Sequence, residues 1–127
     1  MEFAILIILF ALVQYTWFSM RVGMARGKYG VKAPKTSGDE TWERIYRVQQ
    51  NTLEQLVVFV PAMIAFSMYV SNRWVVLPGL LFLVGRQLYS YEYVSNPDSR
   101  TPGMALTMLA NVVLLIGALI GLLMKMF

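Results

Sequence analysis

The chain has 127 residues, 57% of them apolar and only 14% charged, with a formal net charge of +4. Soluble domains carry about a quarter charged residues, and so short a chain cannot bury that much apolar surface in one core, so the surplus must face lipid. With neither Cys nor His, disulfides, thiolate or imidazole zinc sites, papain-like chemistry and a Ser-His-Asp triad are excluded.

A hydrocarbon core of about 30 Å needs roughly 20 mostly apolar helical residues to cross it. Four stretches meet that need, at residues 2–22, 42–70, 74–95 and 102–126. The first is free of charge from Phe3 to Met20, and it lacks the basic flank and small-residue cleavage site of a signal peptide. A long polar loop follows at residues 21–41, rich in Gly, Lys and Pro. The second stretch carries Glu54. The third begins apolar and then turns to Gly85, Arg86 and a tyrosine-rich run. The fourth is interrupted by Asn111, and its Gly117 and Gly121 have the small-xxx-small spacing of helix packing. Backbone groups in lipid must pair within their own segment, so these are helices. The reading is an all-α membrane protein, one four-transmembrane-helix domain over residues 1–127.

Charge gives the orientation. Between Arg21 and Arg47 stand seven Lys or Arg against Asp39, Glu40 and Glu43, which is the whole net charge of the protein. By the positive-inside rule this long loop is cytoplasmic. The basic balance thus reads as membrane orientation and attraction to anionic headgroups, not nucleic-acid binding.

Charged groups inside spans are costly and usually mark a site. Arg47, Asn51 and Glu54 fall at i, i+4 and i+7, one stripe on the second helix, bordered by Gln50 and Gln55. Arg86, Tyr89 and Tyr93 form a second stripe on the third helix, and Arg100 follows in the short loop. The antiparallel course places both stripes, with Arg26 and Arg100, toward the cytoplasmic face. Such guanidiniums, with one carboxylate, amides and phenols, suit a ligand bearing carboxylates and an ammonium. A plainer reading stands beside it, in which Arg47 and Glu54 neutralise each other. Trp17, Trp42 and Trp74 read as an aromatic belt, and the nine Met residues as packing filler.

The segment WERIYRVQQNTLEQ, with Glu43, Arg44, Arg47, Asn51 and Glu54 in register, resembles the signature of the MAPEG family. MAPEG proteins are the membrane-associated proteins in eicosanoid and glutathione metabolism. The likeness to the leukotriene-C synthase branch continues through GRQLYSYEY to Arg100 and reaches back to Arg26. It implies a homotrimer of four-helix subunits with glutathione bound between neighbours. Positions matching Arg47, Asn51, Glu54, Arg86, Tyr89 and Tyr93 are then implied to hold the tripeptide, with Arg26 and Gln49 contributing from an adjacent subunit. Arg100 is implied to face the sulfur and lower its pKa, and Tyr93 to donate a hydrogen bond to it. The implied activity is a glutathione transferase or peroxidase acting on lipophilic electrophiles or lipid hydroperoxides, with glutathione as co-substrate and no metal. Two departures stand out: Gln55 replaces a Tyr of that branch, and Gly27 replaces a second Arg of the first loop.

Two other functions compete. A non-catalytic lipid-binding or scaffold member would share the fold, but that arm of the family lacks the arginine matching Arg47. A small proton-coupled drug exporter is similar in size but needs an acid in the first span, where this chain has Gln14 and only Glu2 at its start. The absence of Cys and of an ER-retention tail points to a bacterial inner membrane rather than the ER.

Overall fold

A computed structural model describes residues 1–96, 98 and 101–127. Four helices follow in order: α1 (Glu2–Tyr29), α2 (Glu40–Tyr69), α3 (Val76–Ser95) and α4 (Thr101–Met126). α3 lies along α4, α1 along α2, and α2 also along α4. The result is a four-helix bundle in which α1, α2 and α4 are each long and apolar enough to cross a membrane. α3 is the exception in composition. Its 20 residues reach about 30 Å, enough for the hydrocarbon core. Its second half, however, carries Arg86, Gln87, Ser90 and Glu92.

α1 overturns one sequence expectation. It does not stop at residue 22 but continues to Tyr29, leaving a connection of residues 30–39 instead of 21–41. At 28 residues it is about 42 Å long, so its last turns project beyond the lipid. There Lys28 is exposed and Arg26 half-buried, while Val22 and Ala25 continue the buried side and pack on Trp42 and Ile45. The charges marked the end of the lipid, not the end of the helix. Gly30, at φ 70°, supplies the left-handed turn that does end it.

α2 starts where Asp39 caps it, its carboxylate accepting from the Trp42 backbone N–H at 2.9 Å. Glu40 and Glu43 in the first turn face the positive end of the helix dipole. The turn before α3 is held by Ser71, whose hydroxyl oxygen accepts from the N–H groups of Arg73 and Trp74 at 3.1 and 3.0 Å.

The interior is layered. The largest cluster joins Ile7, Ala11, Phe59, Met63, Phe82 and Leu114 from all four helices. At its centre the Phe59 and Phe82 rings stack 3.8 Å apart. α4 approaches α2 closely because Gly117 and Gly121 have no side chain: a Cβ at either would strike Phe66 or the Tyr69 carbonyl. That is the packing role the spacing suggested. Toward the α1–α2 connection lies a second cluster of Val22, Ala25, Val31, Trp42 and Ile45. Trp42 therefore does not join the lipid belt. It is wholly buried, donating from Nε1 to the Val22 carbonyl at 3.2 Å, whereas Trp17 and Trp74 are exposed. The reason is α1's extra length, which supplies a wall for the indole.

Candidate functional site

α2 holds Arg47, Asn51 and Glu54 in one line, as the helical period requires. Arg47 and Glu54 stand outward, their side chains 51% and 58% exposed, with Arg47 Nη2 3.6 Å from Glu54 Oε1. The neutralising pair anticipated as the plainer reading does form, but loosely, on a face that the bundle's own helices leave uncovered. Asn51, between them, is turned inward and keeps only 8% of its surface.

The stripe of α3 faces differently. Arg86 is fully buried. It donates from Nη1 to Asn51 Oδ1 at 2.6 Å and to Thr52 Oγ1 at 3.4 Å, and from Nη2 to the Met104 sulfur at 3.8 Å. Its guanidinium lies 4.5 Å from the centre of the Tyr89 ring, and Tyr89 in turn stacks on Tyr93 at 5.3 Å. The α3 stripe is thus a chain of contacts running from the bundle interior outward. Tyr93 is its outer end, at a cleft of about 470 Å³ lined also by Thr36, Glu40, Glu43, Arg44, Tyr46 and Arg47. Arg44 is occupied there, bonded to Glu40 at 2.5 Å and to the Val94 carbonyl at 3.4 Å.

Of the expected residues, this geometry gathers Arg47, Asn51, Glu54, Arg86, Tyr89 and Tyr93. Two others lie elsewhere in the same chain. Arg26 sits 4.6 Å over the Trp42 ring and donates to the Lys35 carbonyl at 2.7 Å. Gln49 donates to Ser19 Oγ on α1 at 3.1 Å. Arg100 lies outside the described residues.

Four amides pair between helices in ways that the sequence leaves open. Gln55, one turn beyond Asn51, accepts from Asn111 Nδ2 on α4 at 3.0 Å. Gln14 on α1 donates to the Leu83 carbonyl at 3.0 Å and to Gln87 Oε1 at 3.3 Å. The available signal was a lone amide in an apolar span, which must find a partner on a neighbouring helix. Two larger depressions, of about 580 and 600 Å³, are mainly apolar and lie at the other end, around Phe3 and Trp74.

The MAPEG family model matches residues 4–120. An uncharacterized protein of Synechocystis sp. is 40% identical over 121 residues, spanning 95% of this chain and 88% of that protein. Microsomal glutathione S-transferase 2 of Bos taurus is 32% identical over 110 residues, 87% of this chain and 75% of the relative. Leukotriene C4 synthase of Cavia porcellus is 31% identical over 107 residues, 84% and 71% respectively. A family match from the first helix into the last, on a four-helix bundle with apolar spans, leaves one conclusion: this chain belongs to the MAPEG family.

Proposed function

We propose that this protein is a membrane glutathione transferase, with glutathione held along the Arg47–Asn51–Glu54 face and activated as its thiolate. The observation that carries the reading is that face itself: a cation, an amide and a carboxylate in line, opening beside a polar cleft. Glutathione presents the complementary groups, two carboxylates, amides and one ammonium. Arg47 takes a carboxylate, Glu54 the ammonium, and Asn51 a ligand oxygen. Tyr93, which lines the cleft, is the proposed hydrogen-bond donor to sulfur. The relatives named glutathione S-transferase and leukotriene C4 synthase support the same substrate.

A free thiol has a pKa near 8.5 and is only a few per cent thiolate at pH 7. A guanidinium within about 4 to 6 Å favours the anion and lowers such a pKa by about one to three units. Arg100 is assigned that role by its match to the family pattern. The thiolate then forms an S–C bond with a lipophilic electrophile as the leaving group departs. In the peroxidase variant two glutathiones become the disulfide while a lipid hydroperoxide becomes its alcohol and water.

The reading includes a homotrimer in the membrane, with the site facing the cytoplasm of a bacterial cell. α2 has 30 residues, about ten more than the hydrocarbon core needs, so Arg47 lies near its boundary and Glu54 within it. A charge facing lipid costs about 2.5 to 3.5 kcal/mol on insertion scales, which a covering second copy removes. Such a neighbour also gives Arg26 and Gln49, which face away from the stripe here, a route to the ligand.

The test is conjugation of glutathione to an aryl halide by detergent-purified protein, with thiolate absorbance followed on the same samples. Arg47→Ala is expected to raise the half-saturating glutathione, and Arg100→Ala to lose the thiolate signal. A wild type that neither binds nor turns over glutathione sinks the reading and leaves a lipid-binding scaffold in its place.

A further inference from the structure

Arg86 has a property the proposed function does not use. It is a cation buried completely in a bundle of membrane helices, and among the described residues no carboxylate pairs with it. Its contacts are the Asn51 amide oxygen, the Thr52 hydroxyl, the Met104 sulfur and the Tyr89 ring, while its buried Nε has no hydrogen-bond partner. A charge placed so must do something that a neutral packing residue would not.

The Asn51 contact decides what. A guanidinium has donors and no acceptor, so the Asn51 atom 2.6 Å from Arg86 Nη1 can only be the carbonyl oxygen. The amide cannot flip without setting two donors against each other. Its Nδ2 must therefore point away from Arg86. That nitrogen donates to no described residue and is not sealed from the surface. The small exposed fraction of Asn51 thus includes its nitrogen, on the helix face shared with Arg47 and Glu54. A cation at the oxygen also polarises the amide and makes its N–H groups stronger donors.

We infer that Arg86 is a positioning residue, which locks and polarises Asn51 so that its amide can only donate to the ligand. The buried charge thereby reaches the site as an oriented dipole, with no second cation exposed toward lipid. This inference rests on the proposed glutathione site and specifies one of its contacts: the bonded ligand atom is an acceptor, a carbonyl or carboxylate oxygen. It also changes the role expected of Arg86, from direct contact with the tripeptide to action through Asn51.

The discriminating variant is Asn51→Asp. It offers Arg86 a full carboxylate, so a merely structural contact would be strengthened, while the outward N–H donor is replaced by an acceptor. Equilibrium glutathione binding and Tm are measured on wild type, Asn51→Asp, Arg86→Lys and Arg86→Met in one detergent. For Asn51→Asp the expected result is opposite signs: Tm rises by about 5 °C, while the half-saturating glutathione rises about tenfold or more. Arg86→Lys keeps a donor for the oxygen, so its loss of affinity is smaller than that of Arg86→Met, which frees the amide to flip. Should Asn51→Asp bind glutathione as tightly as wild type, or lose Tm and affinity together, the inference is overturned. If wild type itself binds no glutathione, the functional reading falls too; if wild type binds and only the Asn51→Asp pattern fails, that reading survives without this residue assignment.

Discussion

The two halves of the bundle are built on opposite logic. Around Phe59 and Phe82 the interior is a hydrophobic cluster shared by four helices, with the two rings stacked at 3.8 Å. One helical stretch away, at the level of Arg86, the interior is held by a guanidinium that engages oxygens, a sulfur and a ring. An apolar interior works by volume, so its members are exchangeable at similar size. A polar interior works by pairing, since each donor left without a partner carries the whole cost of its desolvation. The first kind of packing sets where the helices stand. The second sets which way particular side chains point, and a binding face needs that.

Substitutions can separate these roles. The largest loss of stability is expected for Phe59→Ala, about 4 kcal/mol, because it leaves a cavity beside a stacked ring. Unfolding in detergent measures it, and glutathione affinity of the folded fraction should be unchanged. Gly103→Ala comes next, at about 2 kcal/mol by overpacking. The new methyl meets the Tyr89 backbone, so this change should also weaken glutathione binding through Tyr89 and Tyr93. Asp39→Ala removes the cap of α2 and should cost about 1 kcal/mol with little change in affinity. Smallest on stability is Glu54→Gln, within about 0.5 kcal/mol, since its ion pair is loose and Gln keeps the size and polarity of the side chain. Its half-saturating glutathione should nevertheless rise severalfold, seen by titration. If Phe59→Ala abolished binding while Glu54→Gln left it intact, the division between the halves would be wrong.

Much of this was legible in the sequence because membrane helices are constrained twice, by length and by where charge may sit. The four helices, the Gly117–Gly121 contact and the common face of Arg47, Asn51 and Glu54 follow from spacing alone. Depth within the bundle was less readable. Period alone put Arg86, Tyr89 and Tyr93 on one face, yet that face turns inward, and only the packing of α3 against α2 and α4 decides this. The same limit hid Trp42, whose burial depends on two extra turns of α1. Arg21, Arg26 and Lys28 give those turns the composition of a loop, although residues 18, 22 and 25 keep the apolar period through them. Asn111 and Gln55 were visible as oddities; their pairing needed the two helices to be set side by side.

The measurement closest to the central claim is a titration of glutathione into detergent-solubilised wild type and Arg47→Ala, with Tm recorded for both. Arg47 is half exposed and makes a loose 3.6 Å contact to Glu54, so its loss should leave Tm nearly unchanged. Its charge-assisted bond to a glutathione carboxylate should, by contrast, make binding about tenfold to a hundredfold weaker. Equal affinity in the two proteins, at equal Tm, would contradict the account and place the ligand away from this face of α2.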